Sequence, residues 1–582
     1  MMFGRNQVLE RNDIELWPRR LLHVPTMTSY EWEDGNKYGG DTEPKFNILS
    51  YTWGRWEIPD GARLPVQNVT WDIPAIDPAR FTVPQFEHVL LQVAGENSWV
   101  WLDVACIDQI DDLVKLDEVG RQAGIFNNAD ESYVWLHGTP EKKLQSAMST
   151  LQHLADRLDG DEVSEYVSEL GNVPIHYGAS PSQTPACLDE PAWLDAVLAV
   201  VEEFIQDKWF SSLWTLQECF LRKDARFLSH EGVEPVRPGF QYFGLLNFIQ
   251  NLGAIQDAVH GRLVKLRSSR LHGGGGNTPG ANKTQRSFQH LLEVLSPLAL
   301  VAWEFEPMIY HAAARRMTRR PADRVYGIMQ VYGFTLGKVA EPDRDFTVEE
   351  LEDQLGLAIS SRSSVMGQYF VHDVEPETGR AWRISSNMHV PEQMRLVGLI
   401  LEDECTIRAS GSGSAPVFQG GRCSMEDLIK TWDQMKNFMT EHSGIHLWEG
   451  EPTAVQYIAL DACAELTRLL SLDLLYGDDM NVATQQTLAW ELVRVFGQDL
   501  TVLLLGKLYD PNGDDDSADS ECESTEVMSD LVGSIGLIVR PVLTTGGKGM
   551  VWQRIGICIW PHITVAGGIV APTFVEAKLT LG

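Results

Sequence analysis

The stretch Trp99–Ile107, WVWLDVACI, is apolar at every position except Asp103. A strand with one wet face alternates apolar and polar residues, whereas a strand covered on both faces reads as a continuous apolar run. Trp99–Ile107 therefore predicts a strand buried inside a parallel sheet. Before it, Phe46–Tyr51 is a second short apolar strand candidate. After it, Asp111 and Asp112 offer helix N-caps. Leu113, Leu116, Val119, Ala123 and Phe126 then recur at spacings of three and four, which places them on one helical face. Tyr133–Leu136 is the next strand, closed by Gly138 and Pro140. Leu144, Met148, Leu151, Ala155 and Leu158 mark another helix, a further one falls within 190–206, and Ala225–Ser229 is a last strand. Alternating elements of this length imply βαβ units and a doubly wound parallel sheet. The expected fold class is α/β with inserts, followed by a mixed α+β region.

The 582 residues suffice for several folded units. The expected division is a lead-in over 1–45, an α/β domain over 46–230, a helical region over 231–340 and a mixed region over 341–508. An acidic loop over 509–530 and C-terminal strands over 531–582 complete it. Ser268–Lys283, with its glycine run Gly273–Gly276, and Pro511–Asp530 both read as disordered loops, the latter because it lacks apolar residues to bury. Ile458–Leu472 and Gln485–Phe496 read as helical, Gly533–Val539 and Met550–Trp560 as strands.

A net charge of −34 opposes wholesale binding to nucleic acid. The 8 cysteines show no CxxC and no zinc spacing, so they read as reduced core thiols of a cytoplasmic protein. No secretory signal is apparent in Met1–Arg20, and the apolar stretch Leu291–Phe305 is too short and too charged to span a membrane.

Three blocks resemble the heterokaryon incompatibility (HET) domain family of fungi. They are Asn47–Gly54 (NILSYTWG), Val100–Gln109 (VWLDVACIDQ, followed by Glu118, Gln122, Ile125, Phe126 and Ala129) and Trp209–Glu218 (WFSSLWTLQE). The resemblance implies a role in self/non-self recognition and regulated cell death, with protein partners or self-association. HET domains are in turn distantly similar to TIR domains, some of which hydrolyse NAD through a Glu in an SxWCxxE segment. Ser212, Trp214 and Glu218 stand at the same offsets. The resemblance thus implies a TIR-like α/β domain, NAD as a dinucleotide substrate rather than a required cofactor, and Glu218 as the catalytic carboxylate. The alternative is a non-catalytic assembly module that recruits a separate executioner.

The chemistry asks for little. Breaking the nicotinamide–ribose bond develops positive charge on the sugar, which one carboxylate stabilises. The leaving nicotinamide is neutral and needs no acid. Trp214 and Glu218, four apart, share a helical face. Equally, Trp214 can anchor a core and Glu218 can pair with Arg222. Trp53 and Gly54 end the first strand and Asp108 and Gln109 follow the second; strand C-termini are where open α/β sheets bind ligands. Against this, Asp108 can cap a turn, Gln109 can bond loop backbone, and Tyr51 and Trp53 can be core. Asp103 is expected to pair with Arg121 or a loop N–H. Arg315, Arg316, Arg319, Arg320 and Arg324 read as a solvated helix face or, more sharply, a phosphate site; Arg262, Lys265, Arg267 and Arg270 allow the same two readings. The glycine run at 273 lacks the lysine placement of a phosphate loop. His442 and His446 lack a third ligand, so no metal site is expected.

Overall fold

The computed structural model describes residues 17–53, 56–158, 185–237, 242–271, 286–295, 306–377, 379–391, 400–409, 415–441, 457–470, 482–510, 530–543, 550–561, 563–565, 568–570 and 572–581. The glycine run Gly273–Gly276, most of Pro511–Asp530, and His442 and His446 lie outside the described residues.

A six-stranded sheet organises the N-terminal part. Its strands are β1 (Arg20–His23), β2 (Thr28–Glu31), β3 (Phe46–Ser50), β4 (Trp99–Trp101), β5 (Ser132–Trp135) and β6 (Arg226–Leu228). The spatial order is β6-β5-β3-β4-β1-β2, with β3–β6 mutually parallel and β1 and β2 antiparallel at one edge. The sheet is therefore mixed rather than wholly parallel. The 20–31 segment, expected only as a lead-in, supplies the edge: a three-residue turn, Val24–Thr26, with Met27 left-handed at φ 51°, permits only an antiparallel hairpin.

Helices α1 (Val83–Ala94), α3 (Asp112–Gly120), α4 (Gln122–Asn128), α5 (Glu141–Asp156), α6 (Pro191–Ile205) and α7 (Trp214–Leu221) connect the parallel strands, together with a single turn, α2 (Asp103–Cys106). Asn47 Nδ2 donates to Val93 O on α1 at 2.7 Å, while Ser50 faces α7. Helices thus cover both faces.

The run Trp99–Ile107 does not stay a strand. Only Trp99–Trp101 pairs; Val104, Ala105 and Cys106 are buried in the α2 turn instead. An apolar run cannot distinguish a buried strand from a buried helical turn. Trp71 Nε1 and Ser29 Oγ donate to the carbonyls of Val104 and Ala105 at 2.9 and 2.8 Å, satisfying backbone that a strand would have paired. The helix expected over 113–126 breaks at Arg121, where Gly120 packs so closely on Val339 that a Cβ would meet Cγ1 at 2.6 Å.

Beyond β6 come α8 (Leu245–Leu271), α9 (Glu306–Arg315), α10 (Asp323–Met329) and α11 (Val348–Arg362). Their apolar sides share one core with α5, α6 and α7. A second, antiparallel sheet follows. It contains β7 (Ile400–Asp403), β8 (Cys405–Arg408), β9 (Val417–Ser424), β10 (Tyr457–Leu460), β11 (Thr501–Asp510), β12 (Asp530–Leu543), β13 (Met550–Pro561) and β14 (Val575–Thr580). Helices α12 (Met425–Glu441) and α13 (Val482–Phe496) pack on one face around Trp432 and Trp560. Tyr457–Leu460 is a strand on β13 where a helix was expected; the helical part begins only at Ala464. The seven described cysteines are all free.

Candidate functional site

The parallel strands run β4-β3-β5-β6 in space, so the connections leaving β3 and β5 diverge. Such a point is where doubly wound sheets open a ligand crevice. Here it is bridged: His137, after β5, lies 3.0 Å from Thr52 Oγ1 and 3.1 Å from Thr52 O, after β3. Phe81 and Trp135 pack against the same imidazole, and burial lowers its pKa.

Beside that bridge two carboxyl groups converge on the ends of β3 and β4. Glu218, on α7, accepts a short hydrogen bond from Ser50 Oγ, the last residue of β3. Ser50 Oγ in turn accepts from Trp209 Nε1 at 2.7 Å, which fixes the hydroxyl. Among the described residues no cation pairs with Glu218. Arg222, one turn along, bonds Asp224 and the carbonyls of Phe126, Ala129 and Asp130 instead. Surrounded by protein, though still partly reachable by solvent, the Glu218 carboxyl is pushed up to about 8, by burial first, with Asp103 adding to the rise and the Ser50 bond opposing it.

Asp103 begins the α2 turn directly after β4. Its Oδ1 accepts from Val104 N–H at 2.7 Å and its Oδ2 from the Trp53 indole N–H. The loop N–H expected for it is present; Arg121 is not, being engaged with Glu118, Asp117 and Trp17 O. Burial raises the Asp103 pKa, partly offset by these bonds and by Lys115. Tyr51 stands between the two acids. It is 6% exposed, and burial first, then the charge of Asp103 and its hydrogen bond to the Tyr51 hydroxyl, then the charge of Glu218, keep it protonated.

The other sequence candidates divide. Trp53 is at the site through Asp103. Trp214 starts α7, partly buried against the helical core. Asp108 Oδ1 accepts from Ile110 N–H and Asp111 N–H at 2.8 and 2.9 Å, a turn-capping geometry. Gln109 Nε2 donates to Ile107 O at 3.0 Å and Asp103 O at 3.3 Å, bracing the loop below Asp103. Gly54 lies outside the described residues.

The arginine cluster is not one helix face. Arg315 ends α9, Arg316–Arg320 form a connecting segment, and Arg324 is in α10. That segment clasps the start of α7. Met317 N–H donates to Ser211 O at 2.9 Å and Leu213 N–H to Met317 O at 3.1 Å. Arg316, buried, donates through Nη1 to Ser212 O at 3.0 Å and to Thr215 Oγ1 at 3.3 Å. Gly327 lies against Leu213 and Trp214. Nothing local in the sequence signals this clasp, or the meeting of Ser50 with Glu218.

Residues 46–218 match the family model described as heterokaryon incompatibility protein (HET). This segment is a HET domain. Its limits enclose Ser50, Tyr51, Trp53, Asp103 and Glu218, and the match supports a role related to heterokaryon incompatibility. The clasp from Arg316 onward and the second sheet lie beyond it. No curated protein and no solved structure matches the chain. Among the described residues no helix is long and apolar enough to cross a membrane, and no three His, Cys, Asp or Glu side chains cluster to hold a metal ion.

Proposed function

We propose that the HET domain hydrolyses the nicotinamide–ribose bond of NAD, with Glu218 as the carboxylate facing the ribosyl cation, and that this reaction is the output of an incompatibility effector. The observation that carries the reading is an acid held at the ends of parallel strands with no cation paired to it among the described residues. An ion pair would neutralise such a group; with none among the described residues, the carboxyl, once ionised, has its charge available for a cationic transition state. The nicotinamide ring of NAD is itself cationic, so its approach favours the ionised form of Glu218.

The test is nicotinamide release from NAD by purified protein, compared with Glu218→Gln. The wild type is expected to release nicotinamide and the variant to lose about 10²–10³-fold of that rate, the scale for removing one electrostatic stabiliser. Because the ionised carboxylate is the active form, kcat/KM is expected to rise with pH and level off above about 8. Equal release by both proteins, or none by either, removes the enzymatic claim. The second outcome favours an assembly module, for which Ile110, Leu113 and Met317, all exposed, provide apolar contacts.

A further inference from the structure

Resting on the N-glycosidase reading, we propose that Asp103 is a second catalytic residue, the base that takes a proton from the attacking water and so directs the site to hydrolysis rather than transfer. Four observations support it. Asp103 sits at the end of β4, beside the strand whose last residue, Ser50, holds Glu218. Its carboxylate accepts from Val104 N–H and the Trp53 indole and is also engaged by the Tyr51 hydroxyl; none of these donors is a cation, and a carboxylate's roughly four lone-pair sites leave room for one more proton donor. The residue as a whole is partly exposed. Beside Asp103 stands the Tyr51 hydroxyl, which engages that carboxylate and whose oxygen can accept a bond from the water. The loop beneath is braced by Gln109, which bonds Asp103 O and Ile107 O and, at 3.5 Å, Lys115 Nζ.

The step balances without a further reactant. The ribosyl C1′–N bond breaks and its electron pair passes to the pyridinium nitrogen, so nicotinamide leaves neutral. The ribosyl cation forms against the Glu218 carboxylate. Water donates a lone pair to C1′ and its proton passes to Asp103, then to solvent. NAD and water become ADP-ribose, nicotinamide and one proton.

Water must lose a proton to complete this attack; the lone pair of a pyridine nitrogen has none to lose. A competing pyridine therefore separates the two roles. NAD is incubated with the full-length protein in the presence of 3-acetylpyridine, and ADP-ribose and the exchanged dinucleotide are measured together. In Asp103→Asn, hydrolysis is expected to fall on the order of 10²-fold, the lower range for losing a general base, with exchange falling far less. Hydrolysis and exchange falling together in a folded variant, or hydrolysis unchanged, overturns the assignment.

Trp53→Phe carries the test should Asp103→Asn not fold. Without the indole N–H the Asp103 carboxylate is harder to ionise, in surroundings that otherwise comprise Tyr51, Glu218, Lys115 and Val104 N–H. The hydrolysis-to-exchange ratio should then reach its plateau at higher pH, and an unmoved plateau overturns the proposal. A wild type that performs neither reaction rejects the N-glycosidase reading itself, and Asp103's role with it. A wild type that performs both, with an indifferent Asp103→Asn, rejects only the latter.

Discussion

Each of the two sheets buries an acid, and they treat it in opposite ways. In the C-terminal sheet, Asp461 follows β10 and pairs with Arg554 of β13 at 3.0 Å, with the two side chains 3% and 1% exposed. Its other oxygen accepts from His372 N–H at 2.9 Å, and Arg554 also donates to Gln368 O at 3.1 Å. In the HET domain, Glu218 has Ser50 and Asp103 has Trp53 and Val104 N–H, but no cation pairs with either among the described residues. Desolvation penalises the acids of both sheets; Asp461 has a paired cation, whereas Asp103 feels only the unpaired charge of Lys115 and Glu218 has no paired cation among the described residues. An acid that serves the fold is neutralised where it is buried. One left without a paired cation where strands end holds its proton up to about pH 8 and ionises only at higher pH or beside a cationic ligand.

That contrast breaks most visibly at Asp461. Asp461→Ala strands the Arg554 guanidinium in the core, and the expected loss is about 3–5 kcal/mol of the C-terminal region's stability, read as a lower urea midpoint. A loss below about 1 kcal/mol, the scale of an exposed pair, would erase the distinction between the two sheets.

At Glu218 the opposite sign is expected. The unfolded chain releases this proton near 4.5 and the folded chain near 8. Between those values the folded state binds the extra proton, so the group's contribution is complete below 4.5 and is lost as pH climbs through about 8. Glu218→Gln removes the titration. The variant should match the wild type near pH 4 and exceed it above pH 8 by on the order of 2–4 kcal/mol, a full burial shift discounted for partial exposure. Denaturation midpoints at several pH values decide it, and a gap that shrinks as pH rises contradicts the reading. A variant that is more stable yet inactive shows the acid to be kept at the expense of the fold.

The part of this comparison that could be read from the residues was local. Apolar runs located β3 and β5, and Asp111 caps α3 as expected, accepting from Leu113 and Val114 N–H. Asp103 inside an apolar run announced a buried acid, but its indole partner, fifty positions earlier, was not legible. Neither was the contact between Ser50 and Glu218, because a pattern of side chains specifies faces and periods, while a meeting across 168 positions follows from how those faces pack. The same holds for the hairpin of β1 and β2 and for the division of Trp99–Ile107 into strand and turn, which neighbouring donors decide.

The clasp sharpens the comparison at a smaller scale, since it ties the helix bearing Glu218 to the chain beyond the HET domain. A Cβ at Gly327 would lie 3.2 Å from Leu213 Cγ and 3.7 Å from Trp214 Cε3. Gly327→Val therefore overpacks this contact and should cost about 1–3 kcal/mol. Trp214 fluorescence should shift with it, and a variant as stable as the wild type would mean α10 yields freely.

The smallest effect is expected where the same two regions meet in solvent. Arg319 Nη2 lies 3.3 Å from Glu57 Oε2, linking the clasp to the segment after β3, with the side chains 69% and 40% exposed. Holding two long side chains in water returns little, so Arg319→Ala should change stability by less than about 1 kcal/mol, and less again in high salt. The buried contacts of Arg316 and Gly327 on Ser212–Thr215 then account for the attachment. If Arg319→Ala instead weakened the protein as much as Gly327→Val, the clasp would be an electrostatic latch, and its grip on α7 would vary with ionic strength rather than with packing.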